Sequence, residues 1–209
     1  MTIKDGEYLG VMGPSGCGKS TLINCITGIV EPDEGSEIYI DGKNVSNLPI
    51  EERNFAMVFQ SVTLFPHMTV EENVEYPSRV IDKPKQEREA IAEKALKLVN
   101  LLKEKELYPR ELSGGAKQAA AVARAIARND VKLLILDEPI SALDAKVRID
   151  LRYQIRHLVK ELGLTAIHIT HDQKECMSIS YRLVIMKAGQ IYEINTPKNL
   201  YEFPNSLFT

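Results

Sequence analysis

The sequence predicts an α/β protein with a mostly parallel core sheet, an antiparallel β element and a helical subdomain. Three observations carry that reading. Stretches of strand character alternate with stretches of helical period, the pattern of a sheet covered by helices on both faces. The run Leu133, Leu134, Ile135, Leu136 is wholly apolar, as a central strand buried on both faces requires. Near the N-terminus, an apolar stretch (7–12) meets a glycine-rich loop and then a helical stretch (19–27).

Composition narrows the function classes. With 209 residues, 44% apolar and 26% charged, the chain is of ordinary globular make-up and long enough for a sizeable core. A net charge of −3 argues against a broad basic face, so no nucleic-acid partner is expected. Cys17, Cys25 and Cys176 are too widely spaced for a disulfide framework or a metal set, which suits a reducing cytosol. No apolar run approaches the ~20 residues of a membrane span, and the N-terminus lacks the apolar region of a signal peptide. Any membrane role is expected from the water side.

The elements are taken in chain order. Gly28 stops the first helix, 31–35 reads as a turn, and 37–40 alternates as a strand before the hairpin signal Asp41-Gly42. The apolar run 55–59 delivers Gln60 at its end. Thr69-Val70-Glu71-Glu72 has the spacing of a capping box, and 84–102 places Ile91, Ala95, Leu98 and Leu102 on one helical face. Residues 69–112 therefore read as a mainly helical insert. Beyond it come a strand (132–136), a helix (145–161), a strand (165–170), a helix (172–180) and two closing strands (182–186 and 190–195).

The chemistry begins at Gly13-Pro14-Ser15-Gly16-Cys17-Gly18-Lys19-Ser20, which fits G-x-x-x-x-G-K-[ST] between a strand and a helix. The glycines let the backbone curl so that successive N–H groups face one anion, and the following helix, through Thr21, aims its positive end at the same place. Lys19 is expected to reach the β and γ phosphates of ATP, and the Ser20 hydroxyl to ligate Mg²⁺. Cys17 reads as a small side chain, not a nucleophile. A glycine-rich turn before a helix is the plainer reading of this stretch alone. The apolar strand ending in Asp137 and Glu138 weighs against it, because acids there fall in the crevice where open α/β sheets bind ligands. Asp137 is expected in the Mg²⁺ shell and Glu138 as the acceptor that polarises the attacking water.

These residues resemble the nucleotide-binding domains of ATP-binding-cassette (ABC) proteins, and four further segments match in order. Gln60 is similar to the family's Q-loop glutamine, Leu112-Ser113-Gly114-Gly115 to its signature, Ser141-Ala142-Leu143-Asp144 to its D-loop and His171 to its switch histidine. The resemblance spans essentially the whole chain. It implies one domain over 1–209, with a core of about 1–68 and 130–209 and a helical subdomain of about 69–129. It implies that Gln60 touches Mg²⁺ and the lytic water and that His171 contacts the γ-phosphate. It also implies a head-to-tail dimer in which Ser113, Gly114 and Gly115 of one subunit close over ATP held by the other, with Asp144 crossing the interface. The residues themselves agree on the signature: Ser113 is a good N-cap before a strong helix former, which makes a second helix N-terminus able to bind phosphate. As a lone histidine after an apolar strand, His171 reads as a surface or capping residue, and His67, His157 and His168 receive only that reading.

Phe65-Pro66-His67-Met68-Thr69-Val70 after Gln60, with 141–148, is similar to the maltose-type ATPases of solute importers. That implies ATP hydrolysis coupled to transport at the cytoplasmic face of the cell membrane. The implied partners are a second copy or a homologous ATPase subunit, transmembrane permease subunits and, indirectly, an extracytoplasmic solute-binding protein. Three departures keep two alternatives open, a soluble non-transport ATPase of this fold and a shortened nucleotide-binding module with weak hydrolysis. The family's adenine-stacking aromatic lies roughly two dozen residues before the phosphate loop, upstream of this chain, and Tyr8 is too close to replace it. The signature continues Ala116-Lys117-Gln118-Ala119 where glutamine and arginine are common at the first and fourth positions. Soon after Tyr201 the chain stops, so no C-terminal regulatory domain is expected.

Overall fold

The computed structural model describes residues 1–128 and 131–205, so the expected junction of core and helical subdomain at 129–130 lies outside them. In chain order the elements are β1 (Tyr8–Met12), α1 (Lys19–Thr27), β2 (Tyr39–Ile40), β3 (Lys43–Asn44), β4 (Phe55–Val58), α2 (Val70–Val80), α3 (Lys85–Leu98) and α4 (Gly114–Ile126). There follow β5 (Leu133–Asp137), α5 (Ala145–Glu161), β6 (Thr165–Ile169), α6 (Gln173–Ile179), β7 (Arg182–Lys187), β8 (Gln190–Asn195) and α7 (Pro197–Glu202). Contacts divide the chain into two compact units. One comprises Met1–Phe55, Lys132–Glu138 and Gly163–Thr209; the other comprises Ala56–Val131 and Pro139–Leu162.

In the first unit the strands run β5-β6-β1-β7-β8. All neighbours are parallel except β7 and β8, which are joined by a tight turn and pair antiparallel. The sheet is therefore mostly parallel with one antiparallel pair, as the sequence predicts. Leu9, Val11, Leu134, Ile135, Leu136, Ile167, Ile169 and Val184 are all at most 1% exposed, which is why these runs are continuously apolar instead of alternating. Gly10 lets α6 lie on β1, since a Cβ there would fall 2.3 Å from Cys176 Sγ and 2.5 Å from Ser180 Oγ. At the entry to β1, Glu7 is gripped by Arg182 through Nε (2.6 Å) and Nη2 (2.8 Å). Burial pushes the Glu7 carboxyl up, but the Arg182 and Lys4 donors outweigh it and hold the group below the usual carboxylate range.

The far end of α1 is held by Arg53, itself 4% exposed. Its guanidinium donates to the carbonyls of Cys25 (3.0 Å) and Ile26 (2.9 Å) at the helix C-terminus, and to those of Ser46 and Leu48 (both 2.9 Å). A cation on the last carbonyls satisfies orphan acceptors and complements the helix dipole. β2 and β3 form a hairpin whose turn residues Asp41 (φ 52°) and Gly42 (φ 74°) are both left-handed, as a two-residue primed turn demands.

In the second unit, α2, α3 and α4 pack together, and α4 also meets α5. Thr69 caps α2 with the full reciprocal box: Glu72 N–H donates to Thr69 Oγ1 (3.2 Å) and Thr69 N–H to Glu72 Oε2 (2.7 Å). The buried face of α3 differs from the predicted one. It is Ala92, Ala95 and Leu96, with Ile91 and Leu98 half-buried; Leu102 falls in a separate turn because the helix ends at Leu98 and the chain reverses at Asn100 (φ 59°). The strand expected over 37–40 shrinks to two residues, since Ile38 N–H donates to the Ser46 hydroxyl (2.8 Å) in place of a ladder partner. α7 is an addition to the predicted elements, although Thr196 at its N-cap and Pro197 at its first position are its signature.

Gly10→Ala is expected to cost about 1–3 kcal/mol through overpacking between β1 and α6. Urea denaturation should show a lower midpoint with an unchanged slope.

Candidate functional site

In the first unit, β1, β5 and β6 end side by side. The registers Asp137↔Ile169 and Val11↔Ile169 bring the three strands level, so the segments just beyond them emerge at one edge. From β1 comes the loop 13–18, from β5 the pair Asp137 and Glu138, and from β6 the turn holding His171. This is the carboxyl edge at which open α/β sheets bind ligands.

The loop owes its shape to close approaches. A Cβ at Gly13 would fall 2.3 Å from the Met186 carbonyl oxygen and 2.6 Å from Cys17 Sγ. Gly18, at the N-cap of α1, has φ 102°, a conformation that side chains resist, and no side chain caps the helix. Pro14, Ser15, Gly16, Ser20 and Thr21 are at least partly exposed, whereas Cys17 is 2% exposed and its carbonyl accepts from Gly189 N–H (2.9 Å). Cys17 is thus a buried spacer, as its small size suggests. Lys19 folds back over the loop, its Nζ donating to the carbonyls of Gly13 (2.7 Å) and Pro14 (3.0 Å). The whole forms a cationic cradle with backbone donors, suited to an anion of phosphate size.

Asp137 is half-buried, and its carboxyl is pushed above the ordinary range by burial and then by the Glu138 charge, with Lys19 opposing. Glu138 takes a left-handed backbone (φ 47°) and its N–H donates to the Ile169 carbonyl (2.9 Å). His171 is brought to it: Nδ1 lies 3.0 Å from Glu138 Oε2, with the histidine side chain 64% exposed. The expected surface role of His157 holds, with its exposed ring 3.7 Å from Glu161 Oε2, and His67 is exposed. His168 departs from it. The ring is 1% exposed and bridges Tyr8 and Glu175, because a central parallel strand buries both faces.

The second unit carries the remaining residues. Gln60 is exposed just beyond β4. The segment after it is pinned by Asn73, fully buried, which accepts from Phe65 N–H (2.7 Å) and donates to the carbonyls of Phe65, Met68 and Thr69 (2.9–3.2 Å). Phe65 also stacks on Tyr76 and lies under Arg124, whose guanidinium pKa burial lowers. Ser113 caps α4 by accepting from Ala116 N–H (3.2 Å). Gly115 has a reason within its own unit, since a Cβ there would fall 2.5 Å from Val147 Cγ1 on α5. Asp144 is exposed and caps α5 through Val147 N–H (3.1 Å), and Arg148 donates to the carbonyls of Ser141 and Leu143, fixing the loop between. Asn73, Arg53 and Arg148 carry no sequence signal of their own; each reveals itself only through the carbonyls it meets.

Within the first unit, Ser20 and Asp137 both offer oxygen donors, and Asp137 has a carboxyl whose charge the fold leaves poorly compensated. Hard oxygen donors in small number fit a magnesium ion that takes its other ligands from phosphate and water.

A glycine cradle between the central strand and a helix, with acids and a histidine at the same sheet edge, defines a phosphate-loop α/β protein. Residues 1–141 match the family model described as ABC transporter, and the chain belongs to that family. It is 44% identical over 208 residues to the spermidine/putrescine import ATP-binding protein PotA of Bacillus thuringiensis (strain Al Hakam), and 41% identical to PotA of Pseudomonas aeruginosa (strain UCBPP-PA14). The whole chain is covered in both, but it spans 63% and 57% of those relatives, less than two thirds of either. Among solved structures, the dimeric post-hydrolysis state of the ATP-binding cassette MJ0796 bound to ADP and Pi superposes with a TM-score of 0.80 at 33% identity. That match covers 94% of this chain and 88% of the other.

Folding raises the Asp137 pKa, so the folded state holds that proton more tightly. Its contribution favours folding below the unfolded value near 3.8 and is lost as pH rises through the folded value. Asp137→Asn should therefore raise the Tm in chelator at neutral pH by about 2 °C. The gain should shrink as pH falls towards 4, which thermal melts across that range will measure.

Proposed function

We propose that this chain is the ATP-binding and ATP-hydrolysing subunit of a solute importer, working at the cytoplasmic face of the cell membrane. The observation that carries the reading is Glu138 Oε2 set 3.0 Å from His171 Nδ1 at the sheet edge from which the phosphate loop springs. Lys19 would exchange the Gly13 and Pro14 carbonyls for phosphate oxygens, and the backbone donors of 13–21 would hold the β phosphate. Ser20, Asp137 and Gln60 would hold Mg²⁺, which when bound neutralises phosphate charge. Glu138 would accept a hydrogen bond from the attacking water and polarise it. His171, beside Glu138, would contact the γ-phosphate and register its presence.

Ser113, Gly114 and Gly115 would close over nucleotide held by a second subunit, with Asp144 crossing that interface. This proposal draws on the dimeric state of MJ0796 bound to ADP and Pi. The capped helix α4 supports it, because its first turn is ordered and its N-terminal end exposed. No helix among the described residues is long and apolar enough to cross a membrane, which fits a subunit that relies on permease partners. The pinned segment after Gln60, preceded by Phe59 at 45% exposure, is the proposed docking place for such partners. An extracytoplasmic solute-binding protein would act indirectly, and the names of the relatives make polyamines the first solutes to test.

The test is ATP turnover as a function of protein concentration, for this chain and for Glu138→Gln. Turnover is expected to rise more than proportionally with concentration, and to fall by roughly two orders of magnitude in the variant. ATP binding without Glu138-dependent turnover under any condition would overturn the hydrolytic reading.

A further inference from the structure

Four buried polar side chains stand directly behind His171 in the first unit, and the roles proposed above use none of them. Tyr8 on β1, His168 on β6, Thr170 just after it and Glu175 on α6 are each at most 2% exposed. Tyr8 Oη lies 2.7 Å from His168 Nδ1, and His168 Nε2 lies 2.7 Å from Glu175 Oε1. Thr170 Oγ1 donates to the other carboxylate oxygen, Oε2 (3.1 Å). Thr170 Oγ1 also accepts from Asp172 N–H (3.1 Å), and Asp172 Oδ1 accepts from Glu175 N–H (3.0 Å). Every polar atom of the chain finds a partner when the Tyr8 hydroxyl donates to Nδ1, Nε2–H donates to Glu175 Oε1 and Thr170 donates to Oε2.

Thr170 and Asp172 are the two neighbours of His171. The His171 side chain is mostly exposed and so has little packing to hold it; instead the Thr170 hydroxyl on one side of it bonds the Glu175 carboxylate and takes the Asp172 N–H from the other side. Buried polar groups are an expensive way to fill a core, since apolar side chains of equal volume need no partners. The polar chain adds a fixed geometry, and it ends at one place. It also joins that place to β1, the strand that delivers the phosphate loop.

We infer that Glu175 is a positioning residue for His171, oriented by His168 and Tyr8 and acting through Thr170 and the Asp172 N–H. This deepens the proposed hydrolytic site and rests on the roles given there to Glu138 and His171. Glu175→Gln keeps the volume and an acceptor for His168, whereas Glu175→Met keeps the volume and breaks the chain. Thr170→Val is isosteric and removes both bonds of the hydroxyl, to Glu175 and from the Asp172 N–H, while Glu175 stays in place, so it tests the link if Glu175→Met does not fold.

The test uses the whole chain with ring-labelled histidine, the His171 signals being assigned by His171→Gln. The His171 ring signals are expected to move in Glu175→Met and in Thr170→Val, and to return towards their native position in Glu175→Gln. Where wild-type turnover is present, kcat should fall about tenfold or more in the two breaking variants, with the Kd for ATP within about threefold. Glu175→Gln should restore most of it. His171 signals unchanged in the folded breaking variants would overturn the inference, whatever the turnover. Absent wild-type turnover with displaced His171 signals would sink the hydrolytic reading and leave the positioning role standing.

Discussion

Parallel pairing of β1 with β6, and of β6 with β5, is the constraint on which the rest depends. Parallel strands share a direction, so their carboxyl ends share an edge, and the register of Val11 and Asp137 on Ile169 makes those ends level. Three segments far apart in sequence thereby become neighbours without any of them recognising another. The cost is that these strands must be apolar on both faces, which leaves few places for a polar group. Functional side chains are therefore confined to the residues where each strand has just ended. Glu138 and His171 sit at that boundary, one residue and two residues beyond β5 and β6.

In both units, irregular segments need rigidity that regular structure does not supply. Here a few buried or half-buried donors provide it by satisfying several carbonyls at once. Arg53 serves four carbonyls around the end of α1, Asn73 three in the segment after Gln60, and Arg148 two in the loop before Asp144. Each such donor removes the need for regular structure where the backbone must bend, because a buried carbonyl is tolerated only when it is paired. Removing one of these side chains would orphan several acceptors together, so their influence exceeds that of a single hydrogen bond.

Much of this is legible in the sequence, because the strongest local signals concern the phosphate loop and the strand ends. The glycine spacing of 13–18, the apolar run into Asp137 and Glu138, the Thr69 box and the Ser113 cap each have a local cause, and each is present in the structure. The illegible part is tertiary. The departure of Leu102 from α3 follows from where the chain reverses at Asn100, a fact of one residue's backbone. His168 shows the difference most clearly: taken alone it reads as a surface histidine, yet Ile167 and Ile169 beside it mark a strand buried on both faces. The signal that it must be buried is present in the sequence; its partners Tyr8 and Glu175 are not, since they come from other elements. The family resemblance gives Gly115 a place against nucleotide, and in the structure it is also room for Val147.

The site is built against its own stability. Folding places Asp137 and Glu138 side by side, buries the first by half and offers Lys19 as the opposing charge, and the balance still leaves the Asp137 carboxyl reluctant to ionise. Glu138 adds a left-handed backbone, which for a side chain of its kind costs of order 1 kcal/mol. The first of these penalties is one that binding relieves. A cation beside Asp137 lowers its pKa, and a phosphate on the loop gives Lys19 a partner stronger than two carbonyls. Binding free energy and folding free energy would thus be linked at Asp137 and Lys19. The buried chain from Tyr8 to Thr170 gains its significance from that arrangement. With the acids unrelieved and His171 exposed, the geometry at the edge has to be set from behind, by groups that the arriving ligand does not touch.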